Sequence, residues 1–191
     1  MFTQAFWISL RILIFRAGPQ DFPFDTGRRL IAACAGFALL ANAVTFLFVA
    51  TPAEAIVSAL LNIALMALLT WVTLSSMKLQ NRFQQTFNAL AVTTSILTLL
   101  MLPLLAKVVP VWMTVMDRLA KNPDLLSHPE DLPEVQAISS ASFWLLLVLL
   151  WQLLVTAFIF FKAAGRKALL VLIVLFIVLM VARALIGGAP G

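Results

Sequence analysis

Five apolar stretches of membrane-spanning length, separated by polar loops, constrain this chain more than any other feature. Hydrocarbon offers no partner to a backbone N–H or C=O, so a segment that enters it must close its own hydrogen bonds. A helix of about 20 residues does so while crossing a core roughly 30 Å thick. The stretches lie near residues 30–50, 55–74, 86–105, 142–161 and 168–186. They predict an all-α, polytopic membrane protein with five transmembrane helices. Residues 1–29 read as a cytoplasmic interfacial helix and turn, 30–191 as the five-span domain, and 107–139 as an outer loop.

Composition narrows the surroundings. Of 191 residues, 63% are hydrophobic and 11% charged, so lipid is the solvent for most of the surface. The net charge of +5 comes from basic residues clustered at the ends of apolar runs, a pattern that suits phospholipid head groups and not nucleic acid. Cys34 is the single cysteine, which rules out an intrachain disulfide or a cysteine metal site. Residues 1–16 lack a basic start and a small-residue cleavage site and carry Arg11, so the segment is expected to be retained.

Phe2 to Phe15 is too short to span and predicts an interfacial helix, with Phe6, Leu10, Leu13 and Ile14 facing acyl chains. The Gly18-Pro19 and Phe22-Pro23-Phe24 steps predict a bent connection with both phenylalanines in lipid. Pro103 predicts a bend at the end of the third span. From Val108 to Ala120, Val108, Val111, Trp112, Val115 and Leu119 recur at helical spacing, which predicts an outer amphipathic helix after span three. Asp131 and Glu134 have capping-box spacing and predict that the following helix starts before the membrane.

Orientation follows from counting. Arg11, Arg16, Arg28, Arg29, Lys78, Arg82, Lys162, Arg166 and Lys167, nine of the thirteen basic residues, fall on one side as lipid anchors and orientation signals. Lys107, Arg118, Lys121 and Arg183 fall on the other, with most of the acids. The positive-inside rule then sets the N-terminus in the cytoplasm and the C-terminus outside, which in a bacterial inner membrane means the periplasm.

Polar residues inside the spans are the candidates for function. Asn42 and Asn62 sit at mid-depth, where an unpaired amide costs about 2 kcal/mol or more, so each should face another helix as interhelical glue or line a polar site. Asn88, Thr94 and Thr98 make span three the most polar and predict that it is central, and Gln152 adds an amide to span four. Ala32 and Gly36 form a small-x-x-x-small pattern that serves either packing within the chain or contact with a partner. Arg183, close to a helix end, either snorkels or pairs inward. Asp21 and Asp25 are expected to cap turns.

His128 stands alone as an imidazole on a proline-rich loop, too little for a zinc site, and no serine lies in a nucleophile elbow. Glycine-rich phosphate loops are missing as well. These readings predict no enzyme and no cofactor.

Trp151 within Leu149-Leu150-Trp151-Gln152-Leu153, then Gly165-Arg166-Lys167-Ala168-Leu169-Leu170-Val171, resembles the fourth span, turn and fifth span of the Yip family of five-span membrane proteins. Phe87-Asn88-Ala89-Leu90-Ala91 leading to Pro103 resembles that family's third span. The resemblance implies a compact helical domain with a cytoplasmic N-terminus and brings no catalytic residues. Eukaryotic members associate with small GTPases through a sizeable N-terminal region. This chain has fewer than 30 residues there and is more similar to bacterial members. The expected function is a non-enzymatic integral membrane scaffold or accessory subunit, with membrane lipids and other integral membrane proteins or a second copy as partners. The alternative is a small transporter or lipid-handling protein with a polar cavity between spans one to four.

Overall fold

Each apolar run among the described residues becomes a helix, and local chemistry marks where several of these helices end. The computed structural model describes residues 1–23, 29–121 and 133–167. Among them are five α-helices and no strand: α1 Phe2–Leu13, α2 Arg29–Phe46, α3 Pro52–Ser76, α4 Phe83–Lys121 and α5 Pro133–Ala164. Short 3-10 turns, Pro19–Asp21 and Gln80–Arg82, precede α2 and α4. Four segments, Arg29–Phe46, Pro52–Ser76, Gln80–Arg118 and Ile138–Ala164, are long and apolar enough to cross a membrane. The fifth stretch, 168–186, lies outside the described residues, as do Phe24, Asp25, Arg28, His128, Asp131 and Arg183.

Local chemistry fixes the boundaries. Thr51 caps α3, donating its N–H and its Oγ1 proton to Glu54 Oε2 at 3.0 and 2.8 Å, and Pro52 takes the first helical position, where no N–H is needed. At the other end, Lys78 N–H reaches Ser75 O at 3.0 Å and Leu79 N–H reaches Leu74 O at 2.8 Å, a Schellman closure. Lys78 sits at φ +59° to make it. Helix α1 closes in the same way: Phe15 N–H bonds Ile12 O and Arg16 N–H bonds Arg11 O, with Phe15 at φ +58°. After α5 the left-handed position, φ +78°, is held by Gly165.

Packing is inside-out relative to a soluble bundle. Ala5, Cys34, Ala38, Ala41, Ala55, Ala59, Ala89 and Ala91 are buried, while Leu40, Leu60, Leu61, Leu68, Leu146 and Leu153 are more than half exposed. Lipid tails are as apolar as leucine, so helices gain more by close backbone approach through small residues than by hiding large ones. Helix α4 is the centre. In the most apolar stretch of Gln80–Arg118, 44% of the residues are buried, against 17 to 22% in the other three spans, and α1, α2, α3 and α5 all pack on α4. Phe87, Leu90 and Val92 meet Ile12, Phe22, Leu30, Val155, Ile159 and Phe160 in one core.

Several expectations are corrected. The segment after span three is not a separate outer helix: α4 runs unbroken through Pro103, Lys107 and Pro110 to Lys121. Each proline costs a backbone hydrogen bond. Val108 and Val115 nevertheless lie buried, as do Leu97 and Met101 before them, while Trp112 stays exposed, so part of the apolar stripe packs on protein. The predicted outer loop 107–139 is correspondingly shorter, since 107–121 belong to α4 and 133–139 to α5.

Phe22 does not dip into lipid; it is 2% exposed, because Asp21 folds the turn back by accepting from Gly18 N–H at 2.7 Å. Nor does α1 simply float at the interface. It buries Ala5, Ser9 and Ile12 in the common core, leaving Trp7 and Ile14 exposed and Phe6, Leu10 and Leu13 half-buried.

A lysine at φ +59° carries backbone strain that glycine relieves. Lys78→Gly should stabilise the folded protein by about 0.5 to 1 kcal/mol, read as a raised unfolding midpoint in detergent; a lowered midpoint would show that the lysine side chain holds the turn.

Candidate functional site

The polar residues of the spans divide into those that satisfy themselves and those that meet across helices. Hydroxyls mostly do the former. Thr45 donates to Ala41 O, Thr70 to Met66 O, Thr86 to Arg82 O, Thr94 to Leu90 O and Ser95 to Ala91 O. Such bonds, four residues back, let a hydroxyl enter hydrocarbon without leaving its proton unpaired.

The two mid-span asparagines meet. Asn62 Nδ2 of α3 donates to Asn42 Oδ1 of α2 at 2.6 Å, and Asn42 Nδ2 donates to Ala38 O at 2.8 Å. At 1.5 Å per residue, Asn42 stands about 20 Å along α2 from Arg29 and about 6 Å from its end at Phe46, and Asn62 about 15 Å along α3 from Pro52, so the pair lies inside both spanning helices. It forms one end of a cavity of about 230 Å³. Its polar wall consists of Asn42, Asn62, Thr70, Thr94, Thr98, Gln152 and Thr156; Ile63, Leu65, Met66, Leu69, Leu90 and Phe160 make the apolar wall. None of these lining residues is ionisable.

The cavity exists because α3 and α5 both lean on α4 with little contact between them, leaving a cleft over α4. Asn62 and Leu65 among its lining residues are exposed, so among the described residues the cleft opens to the outside of the bundle. Gln152 Oε1 is buried beside it without a hydrogen-bond partner.

Of the residues expected from the sequence, the fold gathers Asn42, Asn62, Thr94, Thr98 and Gln152 on this one cavity. Asn88 is not among them. It is fully buried elsewhere on α4, with neither amide atom hydrogen-bonded. Thr70, Thr156 and Phe160 were not singled out from the sequence. Thr156 follows Gln152 by four residues, as Thr98 follows Thr94, and that helical spacing was the available signal.

Arg11, Arg16, Arg29, Lys78, Arg82, Lys162, Arg166 and Lys167 are all exposed at helix ends. Arg82 also has a structural role, donating Nη1–H to Ala163 O at 2.7 Å and so closing the end of α5 against the start of α4. Gln85 similarly donates to Phe22 O at 3.1 Å and ties down the turn before α2. Ala32 is exposed, and a Cβ built on Gly36 meets nothing within 4 Å, so this small-residue face is not used in packing within the described chain. No group of three His, Cys, Asp or Glu able to hold a metal occurs among the described residues.

No family model, curated protein or solved structure matches this chain.

The Asn42–Asn62 bond should be measurable as a coupling. A double-mutant cycle with Asn42→Leu and Asn62→Leu is expected to give about 0.6 kcal/mol and at most about 1.7 kcal/mol, read from detergent unfolding; zero coupling would mean that the two amides are not paired in the folded protein.

Proposed function

We propose that this protein is a non-enzymatic, lipid-handling membrane protein that receives part of an amphiphile in the cavity between α2, α3, α4 and α5. One observation carries the reading: seven polar residues from four different helices converge on one cavity within the spans, with exposed residues at its opening. Polar groups are costly in hydrocarbon unless they are paired or line a polar space. Here Asn42 and Asn62 share a hydrogen bond among the lining residues, while Thr98, Thr156 and Gln152 line the cavity without joining it. The pocket is smaller than the roughly 300 Å³ and more that encloses a whole drug-sized ligand. It therefore suits a head group whose tails stay in the bilayer.

The wider setting belongs to the same proposal: residues 168–186 as a fifth span, a bacterial inner membrane, the N-terminus cytoplasmic and the C-terminus periplasmic. The gathering of basic residues at the ends of α1, α3 and α5 and at the starts of α2 and α4 supports that orientation. The resemblance to bacterial Yip-family proteins supports the five-span architecture.

A photoactivatable amphiphile incorporated with the full chain in lipid nanodiscs tests the cavity. Adducts should concentrate on α3, α4 and α5 around Asn62, Thr94 and Gln152, and Thr94→Phe, which fills the space, should lower them about tenfold. Adducts spread evenly over outward residues such as Leu60, Leu146 and Leu153 would sink the reading.

A second reading, a scaffold or accessory subunit, is favoured by the open Ala32–Gly36 face. Under it, gentle extraction from native membranes recovers a defined complex or homo-oligomer that Gly36→Leu disperses. A monomer in several mild detergents would count against it.

A further inference from the structure

We infer that the cavity selects an uncharged lipid whose head group carries a free hydroxyl, such as a diacylglycerol or a long-chain isoprenoid alcohol, and that it enters through the cleft between α3 and α5. This rests on the reading of the cavity as an amphiphile site and specifies its substrate class.

Charge is the first discriminator. No lining residue is ionisable, and the site lies about 15 to 20 Å along its helices, where a phosphate or ammonium without a counter-charge is strongly disfavoured. Phospholipid head groups are therefore poor occupants.

Hydrogen-bonding capacity is the second. The Thr94 hydroxyl proton is committed to Leu90 O at 2.7 Å, Asn42 Nδ2 to Ala38 O, and one Asn62 Nδ2 proton to Asn42 Oδ1. What remains on that wall is mixed: lone pairs on Thr94 Oγ1 and Asn62 Oδ1 accept, while the Thr98 and Thr156 hydroxyls, the Gln152 amide nitrogen and the second amide proton of each asparagine can donate. Such a wall calls for a ligand that both donates and accepts. A hydroxyl does so without a formal charge, and its own oxygen can accept from the Gln152 amide nitrogen. An ester or ether offers no proton and leaves those oxygens unpaired.

Size and access agree. A space of about 230 Å³ corresponds to roughly seven or eight waters at about 30 Å³ each, enough for a glycerol-sized or alcohol head group but not for acyl chains. The exposed lip at Asn62 and Leu65 lets the tails remain in the membrane.

The test is competition. The full chain in phosphatidylcholine nanodiscs is labelled with a photoactivatable diacylglycerol, and unlabelled diacylglycerol, its hydroxyl-methylated ether, a long-chain isoprenoid alcohol and phosphatidic acid are added in turn. Diacylglycerol and the isoprenoid alcohol should abolish labelling at Thr94 and Gln152, while the methyl ether and phosphatidic acid compete at least tenfold more weakly. Gln152→Leu should lower labelling severalfold, and Gln152→Glu, similar in shape but ionisable, should not restore it; an unchanged thermal midpoint for Gln152→Leu separates recognition from folding. Equal competition by the methyl ether would overturn hydroxyl selection while leaving the cavity reading intact. Preferential competition by phosphatidic acid would overturn neutrality. Failure of every amphiphile to label the cavity would overturn both readings.

Discussion

Everything else in this protein depends on giving the polar half of α4 a protein environment in place of lipid. From Thr86 to Ser95 every residue is buried except Thr94, which is partly so, and that stretch carries two asparagine-like demands at Asn88 and a run of hydroxyls. Hydrocarbon cannot meet those demands, so α1, α2, α3 and α5 surround the segment. Small residues on the surrounding helices, Ala5, Cys34, Ala38 and Ala59 among them, let the shell close tightly. Most hydroxyls then bond their own helix, four residues back, and need nothing from a neighbour. Asn88 alone has two buried atoms without partners, a residual cost of a few kcal/mol by the usual scale for a lost buried hydrogen bond.

The bundle is clamped where its helices end. Arg82 bonds the last turn of α5, Gln85 holds the turn before α2, and Phe15, at φ +58°, places its ring against Trp151 and Phe158 of α5 with centroids 5.2 and 5.0 Å away. These contacts sit at the end that carries the basic residues. The cavity lies over α4 between α3 and α5, from the Asn42–Asn62 pair to Thr70 and Phe160.

Much of the candidate site was legible in the sequence, because a polar residue inside an apolar run is conspicuous against its surroundings. Asn42, Asn62, Thr94, Thr98 and Gln152 stand out for that reason. Nothing in a single sequence, however, distinguishes Asn88 from Thr94: both are polar residues on one helix, six positions apart, and only the neighbours decide that one is sealed and the other reaches a cavity. Phe22, Val108 and Val115 are buried although their places in the sequence suggest lipid, and the reason is related. In a membrane protein an apolar side chain is equally at home in lipid and in the core, so hydrophobicity carries no information about which way it faces.

By itself the sequence determined the class of structure: apolar runs too long and too poor in charge for water become helices that satisfy their own backbones. The centrality of the third span also followed, since its hydroxyls and amide have nowhere else to go. Only the tertiary structure decided that α4 continues past two prolines to Lys121, that α1 docks into the core, and that Asn42 meets Asn62 beside an open cleft. Those outcomes depend on contacts between residues distant in the chain, and among side chains of equal hydrophobicity only shape, as close packing tests it, separates a core position from a lipid-facing one.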